Sequence, residues 1–295
     1  MKKTAFIAIV GRPNVGKSTL LNAILGEKVA IVSSKPQTTR NRITGIYTKG
    51  EDQFVFLDTP GMHSPKNTLG EFMVRTADSS MREADAVVLV VDIGKEVTSV
   101  EENVMTYLKK SGIPAILALN KIDLYDRERL AETISKYSAK HDFTAFVPIA
   151  AKKGKNVDEL MDECSKFLTE SEWFFPEDMI TDQPERQIAS EIIREKILRT
   201  LNKEIPHGTA VVIEEFKDEG TLIRIRAEIF CEKASHKGII VGKNGASLKL
   251  IGTYAREDLE KMFGTKVYLN LWVKVKENWR ESARTVSNFG YRDEE

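Results

Sequence analysis

The chain has 295 residues, with 44 Lys and Arg against 44 Asp and Glu, so its formal net charge is zero. At 41% hydrophobic and 30% charged residues it reads as a soluble globular protein of about two domains. The charge balance excludes a uniformly basic chain that coats nucleic acid by bulk attraction, but it leaves room for a local basic patch.

The first stretch, Lys2-Lys3 followed by Ala5–Val10, imitates a short signal peptide, yet it runs straight into Gly11 with no small-residue cleavage site. It reads as a buried first strand. No apolar run approaches the roughly 20 residues that a membrane helix needs. Cys164 and Cys231 stand far apart with no Cys-x-x-Cys, against a disulfide framework or zinc site and in keeping with a reducing, cytoplasmic compartment. Four more short apolar runs follow: Phe54–Leu57, Ala86–Val91, Ala115–Leu119 and Ala145–Ile149. Helical patterns lie among them at Lys17–Leu25, Ser99–Lys110 and Val157–Leu168. Apolar strands alternating with helices predict an α/β domain with a mainly parallel sheet covered on both faces. The rhythm breaks at Glu172–Pro184, which holds two prolines and four acidic residues. We expect a first domain over 1–172, a linker over 173–183 and a second domain over 184–295.

In the second domain Pro184 opens a helix carrying Ile188, Ile192, Ile193, Ile197 and Leu201 at helical spacing, and Pro206 and Gly208 end it. A strand over Ala210–Phe216 turns at Lys217–Gly220 into Thr221–Glu232, where Ile223, Ile225, Ala227, Ile229 and Cys231 alternate with polar residues. A helical segment broken by Gly242-Lys243-Asn244-Gly245 leads to a last strand marked by Val267, Leu269, Leu271, Val273 and Val275.

Gly11-Arg12-Pro13-Asn14-Val15-Gly16-Lys17-Ser18 matches G-x-x-x-x-G-K-[ST] after a strand and at the start of a helix. Its glycines let backbone N–H groups turn in on a phosphate, and the helix N-terminus adds partial positive charge. Phosphate contacts are expected from Gly11, Asn14, Val15, Gly16, Lys17, Ser18 and Thr19, with Lys17 reaching the β- and γ-phosphates and Ser18 ligating Mg²⁺. Asp58-Thr59-Pro60-Gly61 ends another strand, where Asp58 can hold Mg²⁺ through water and the Gly61 N–H can meet the γ-phosphate. Asn120-Lys121-Ile122-Asp123 ends a third. A carboxylate at Asp123 accepts from both N1–H and the 2-amino group of guanine, a donor pair that adenine lacks. Each motif alone could be an ordinary polar loop. In this order they agree on a guanine nucleotide, GTP or GDP.

The three motifs resemble those of the translation-factor-like GTPases, and more closely the Era family, over nearly the whole chain. The resemblance implies a P-loop GTPase that splits GTP to GDP and phosphate, and it makes Lys35–Arg40 switch I. It puts the Mg²⁺-contacting threonine at Thr39, with Thr38 the alternative, and sets Lys17, Thr39 and Gly61 beside the reacting phosphate. Met62 follows Gly61, where Ras-type enzymes carry a water-orienting glutamine, so slow intrinsic hydrolysis is expected. His63 is either a loop histidine or a water-positioning one. The family's Ser-Ala-Lys guanine loop stands here as Ala150-Ala151-Lys152, with the base-contacting N–H assigned to Ala151. Asn14 resembles the asparagine that supports K⁺ in related GTPases.

Val241-Gly242-Lys243-Asn244-Gly245 between helical segments resembles the GXXG loop of a type II KH domain, an α+β fold that clamps about four single-stranded nucleotides. Gly242, Lys243, Asn244 and Gly245 are the expected RNA contacts. Lys233–Arg284 holds 11 Lys and Arg against 5 Asp and Glu, the local basic surface such a clamp needs. Tyr254, Trp272 and Trp279 could stack on bases, but such residues more often complete a core. The family resemblance implies the 3′ end of 16S rRNA as ligand and the 30S ribosomal subunit as the setting. It further implies a monomer, with at most peripheral association at the inner face of the cell membrane.

Overall fold

The computed structural model describes residues 1–201 and 205–292. The chain divides into two compact units, residues 1–65 with 73–182 and residues 66–72 with 183–295. The last three residues of the expected second domain lie outside the described ones.

The first unit runs β1 (Lys3–Val10), α1 (Lys17–Leu25), β2 (Ile43–Lys49), β3 (Asp52–Asp58), α2 (Thr68–Glu83, of which residues 73–83 belong to this unit), β4 (Ala86–Asp92), α3 (Ser99–Ser111), β5 (Ala115–Asn120), α4 (Arg127–Ser138), β6 (Ala145–Pro148), α5 (Val157–Ser165) and β7 (Thr169–Glu170). Its sheet has the order β2-β3-β1-β4-β5-β6, with the short β7 added antiparallel to β1. All pairs from β3 to β6 are parallel, and β2 alone on that path is antiparallel. Alternation along β1 feeds two cores. Ala5, Ile7 and Ile9 pack with Leu20 and Leu21 of α1 and Leu160 of α5, while Ala8 and Val10 pack with Leu108 of α3 and Tyr137 of α4. The parallel register aligns Ile9 with Asp58 and Asp92 with Asn120, so the polar strand ends gather at one edge of the sheet. That carboxyl edge is where open α/β sheets hold ligands.

β2 is not among the strands read from the sequence. Gly45 interrupts its pattern because α1 lies on it, and a Cβ there would come within 2.5 Å of Leu21 Cδ1.

Residues 173–182 are not a free linker, and this corrects the expected boundary. They form a strap along the sheet edge within the first unit. Ile46 N donates to Ile180 O at 2.9 Å and Thr181 Oγ1 to Thr44 O at 2.7 Å, both on β2. Buried Gln53 accepts from Phe174 N and Phe175 N through Oε1 and donates to Phe175 O through Nε2. The physical reason is the open edge of β2, whose unpaired backbone groups need cover.

The second unit carries α6 (Glu185–Thr200), β8 (Ala210–Asp218), β9 (Leu222–Cys231), α7 (Ala234–Val241), α8 (Ala246–Phe263), β10 (Lys266–Val275) and α9 (Ala283–Asn288). Its sheet has the order β10-β9-β8, with β9 and β10 parallel and β8 and β9 antiparallel. Ile188, Ile192 and Ile197 of α6 and Ile251, Ala255 and Leu259 of α8 cover one face, meeting Ile223, Ile225 and Ile229. The helix-strand-strand-helix-helix-strand order is the one expected. α9 is an addition that the sequence reading lacked.

Candidate nucleotide and nucleic-acid sites

The loop between β1 and α1 needs its glycines for close packing as well as for conformation. Gly11 and Gly16 have φ of 146° and 107°, and Cβ atoms there would lie 2.3 Å from Val90 O and from Asn120 Nδ2. Asn14 is also left-handed, at φ 65°. Lys17 begins α1 and is buried, and its Nζ donates to Gly11 O and Arg12 O at 3.0 Å each. Burial pushes its pKa down to about 8, against the pull of Asp58. Its ammonium has three protons, so beyond these two carbonyls it can also donate to a phosphate oxygen.

Asp58, at the end of β3, is buried, and burial pushes its pKa up to about 6 despite Lys17 and the Ser18 hydrogen bond. Ser18 Oγ donates to Asp58 Oδ2 at 2.6 Å and lies 2.8 Å from Thr39 Oγ1. A hydroxyl has one proton, so Thr39 donates to Ser18 and Ser18 to Asp58. Asp58 Oδ1 is buried with no hydrogen-bond partner among the described residues. Two hydroxyls and one under-satisfied carboxylate form a hard oxygen set. It fits Mg²⁺, which binds through few protein groups plus phosphates and water. No group of three or more His, Cys, Asp or Glu side chains placed to hold a metal occurs among the described residues. Of the two candidate threonines, Thr39 reaches this set, whereas Thr38 Oγ1 donates to Lys35 O at 2.7 Å. Gly61 lies against the same loop, where a Cβ would be 2.8 Å from Pro13, and Met62 packs on the apolar layer under β4. The His63 ring ties the two loops together, with Nδ1 2.8 Å from Gly61 O and Nε2 3.3 Å from Gln37 Nε2.

Asn120 joins three segments. Its Nδ2 donates to Val15 O at 2.8 Å, and its Oδ1 accepts from Lys121 N at 2.8 Å and Ala151 N at 3.0 Å. Lys121 crosses the phosphate loop to donate to Asn14 O at 3.0 Å and to Asp92 Oδ2 at 2.7 Å. Asp123 pairs with Lys153 Nζ at 3.1 Å, and that hydrogen bond holds its carboxyl below the usual carboxylate range. Two details differ from the sequence reading. The Ala151 N–H is engaged by Asn120, and in the turn Ala151–Lys153 the amide with no acceptor among the described residues is that of Lys152. Asp92 and Lys153, which the sequence reading missed, orient Lys121 and Asp123. A basic residue just past the Ala-Ala-Lys run was the available signal for Lys153.

In the second unit Gly242, Lys243, Asn244 and Gly245 link α7 to α8, with φ of 74° at Gly242, 51° at Asn244 and 78° at Gly245. The turn is held by Gly245 N donating to Gly242 O at 3.2 Å. Lys243 and Lys249 are exposed. Beside the loop runs a groove between α8 and β10, lined by Gly245, Leu248, Lys249, Gly252, Leu269 and Leu271. It has an apolar floor for bases and cations at its head for phosphates. Of the three aromatic residues considered for stacking, Trp279 is wholly buried, with Nε1 donating to Gly208 O at 3.0 Å, whereas Tyr254 and Trp272 are exposed.

A P-loop that meets a hydroxyl-carboxylate Mg²⁺ set and a guanine-type loop, on a chain that also bears a GXXG turn, defines a GTPase with a KH domain. The comparisons agree. The 50S ribosome-binding GTPase family matches residues 6–121, and the KH domain family matches residues 204–280. The chain is 51% identical to GTPase Era of Clostridium kluyveri over 99% of its own length and all of the relative's. It is 50% identical to GTPase Era of Clostridioides difficile over 99% of its length and again all of the relative's. A crystal structure of Era in complex with MgGDPNP and nucleotides 1506–1542 of 16S ribosomal RNA matches with a TM-score of 0.95 at 42% identity, covering 99% of each chain. A variant of Aquifex aeolicus Era bound to GDP·AlF4⁻ matches with a TM-score of 0.94 at 43% identity, covering 98% of this chain and 99% of that one. The chain belongs to the Era family and is a GTPase.

No helix among the described residues is long and apolar enough to cross a membrane.

Proposed function

We propose that the chain binds GTP with Mg²⁺ at the carboxyl edge of the first sheet, hydrolyses it, and clamps single-stranded RNA in the groove beside Gly242–Gly245. The RNA is the 3′ end of 16S rRNA, and the setting is assembly of the 30S subunit in the cytoplasm. The observation that carries this reading is the chain of hydroxyls from Thr39 through Ser18 to an Asp58 that keeps one buried oxygen unpartnered. The RNA assignment draws on the solved Era complex with 16S rRNA.

Each residue then has a task. The Lys17 ammonium and the N–H groups from Asn14 to Thr19 hold the phosphates at the start of α1. Ser18 and Thr39 ligate Mg²⁺, and Asp58 orients its water. Bound Mg²⁺ neutralises charge that develops on the phosphates. The Gly61 N–H meets the terminal phosphate. Asp123 reads N1–H and the 2-amino group of guanine, and the Lys152 N–H serves the base oxygen while Asn120 and Ala151 brace the pocket. Met62, packed on the apolar layer, orients no water, and slow intrinsic turnover follows. Asn14 Nδ2 donates to Ser34 O at 2.7 Å, which leaves its carbonyl oxygen for K⁺. Equal turnover in Na⁺ and K⁺ buffers would remove that ion from the proposal.

The strap gives the nucleotide state a route out of its site. Thr39 lies just before β2, and β2 is hydrogen-bonded to Ile180 and Thr181. Ordering of switch I by bound nucleotide would be felt by the segment that leads into α6. Equal RNA affinity with a GTP analogue and with GDP would remove the coupling.

The test of the core proposal is GTP turnover with Lys17→Ala as control. The wild type should release phosphate, and the variant should lose at least about 100-fold. Full RNA binding with no turnover in the wild type would leave an RNA-binding module with an inactive nucleotide domain.

A further inference from the structure

We propose that the outer face of the C-terminal sheet is a second stacking surface for single-stranded RNA, taking nucleotides that run on from the groove beside Gly242–Gly245. This rests on the RNA reading of that groove.

β10 has two sides. Leu269 and Leu271 face the groove under α8, and the pleat turns Tyr268, Asn270, Trp272 and Lys274 the other way. Tyr268 is 53% exposed and Trp272 58%, a large area for aromatic rings to leave in water. They lie four positions apart, so the rings stand about 13 Å apart along the strand, enough for a base on each with another between.

The neighbouring strand supplies the charge. Arg224 is the register partner of Tyr268, and its guanidinium lies 5.6 Å from that ring. Arg226 is the partner of Asn270, midway between the two rings, and it is exposed and makes no ion pair among the described residues. Two of the anions on this face are paired with other cations. Glu228, opposite Trp272, pairs with Lys274 at 2.5 Å, and Glu219 pairs with Arg224 at 3.0 Å and Lys217 at 3.2 Å. Arg226 also has the exposed Glu215 of β8 as its register partner on the other side, so the face carries mixed charge with Arg226 the cation midway between the two rings.

Aromatic rings alternating with arginine on an open sheet suit bases and their phosphates, as in sheet-based RNA modules. Continuity favours the same strand of RNA as occupant. β10 is the edge strand, so only its own width, about 5 Å, separates the groove from this face. A protein partner would be expected to bury aliphatic side chains, and none stands between the rings.

The test compares two labelled RNAs from the 3′ end of 16S rRNA, one of about four nucleotides, which fills the groove alone, and one of about twelve. The wild type should bind the longer RNA more tightly. Tyr268→Ala with Trp272→Ala should weaken the longer RNA roughly tenfold per ring and leave the shorter one and RNA-free GTP turnover unchanged. Arg226→Ala should flatten the salt dependence for the longer RNA only. Tryptophan fluorescence should be quenched by the longer RNA, and the quench should vanish in Trp272→Phe. Unchanged affinity of the double variant for the longer RNA would overturn the proposal, as would an equal loss for both RNAs. Gly242→Asp with Gly245→Asp serves as the separate control. If that variant keeps its affinity for both RNAs, the groove reading fails whatever the outer face does.

Discussion

The two glycine-rich loops of this chain look alike in sequence but differ in what surrounds them. In the loop before α1, both motif glycines are hemmed in, Gly11 by the backbone of β4 and Gly16 by the Asn120 side chain. In the loop before α8, Gly242 is also close-packed, with a Cβ there 2.7 Å from Ser247 Cβ and 2.9 Å from Ser247 N, but a Cβ on Gly245 would have open space within 4 Å. The first loop is an interior part whose polar groups answer to one another: Lys17 to two carbonyls, Ser18 to Asp58, Asn120 to Val15 and Ala151. The second is a surface clamp whose cations point into water. An interior cradle positions a small, highly charged ligand by fixed geometry. An open clamp grips a flexible polymer by backbone approach and charge, and its grip falls with salt.

Replacing the glycines sharpens that difference most. Gly16→Ala forces both a strained φ and a collision with Asn120 Nδ2 at 2.3 Å, so it should cost several kcal/mol in the first unit and abolish nucleotide binding. Gly245→Ala meets no atom and should cost only the left-handed penalty of about 1–2 kcal/mol. Thermal unfolding with and without GDP would show it. Equal losses for the two variants would mean that conformation alone governs both loops.

Next in size is base recognition. Asp123→Asn exchanges a double acceptor for a side chain that presents a donor to the guanine N1–H or 2-amino group. GTP affinity should fall at least about 100-fold, with preference moving to xanthine nucleotides. Competition binding with XTP measures this, and retained GTP selectivity would move guanine recognition elsewhere in the loop cluster. At the open clamp, Lys243→Ala should weaken RNA only several-fold at moderate salt and reduce the salt slope by about one, while GTP turnover stays as it was.

How far the sequence predicted this arrangement differs along the same line. Local motifs were legible because their chemistry is contiguous: the strand-loop-helix of Gly11–Ser18, Asp58 and Asn120 at strand ends, the turn at Gly242–Gly245. Long-range answers were not. Nothing local tells that Gln53 will hydrogen-bond a segment over 120 residues away, so 173–182 read as a linker and proved to be a strap. The N–H of Ala151 is adjacent in sequence to the one that is free, and only the Asn120 side chain decides between them. Trp272 and Trp279 are equivalent as letters. One sits on an open sheet face, and the other donates to Gly208 inside the second unit. β2 escaped because its glycine serves α1 and not the strand itself.

The smallest effect tests a case between the two kinds of loop, since Asp123 belongs to the nucleotide pocket but is supported by a surface lysine. Lys153 is 63% exposed, so the pair is screened by water, and Lys153→Ala should lower GDP affinity at pH 7 by no more than about fivefold. Its signature lies in the pH profile. The Lys153 hydrogen bond holds the Asp123 carboxyl below its ordinary value, so the ionised form that guanine requires persists as pH falls toward the usual carboxylate range near pH 4. Without Lys153 the carboxyl returns toward that range and protonates sooner. The affinity gap between wild type and variant should therefore stay level from pH 7 to about 5 and widen as pH falls from there toward about 4, read by anisotropy of a labelled GDP. Parallel profiles would show that the pocket itself keeps Asp123 ionised. Its support would then be interior after all, like that of Ser18 and Asn120.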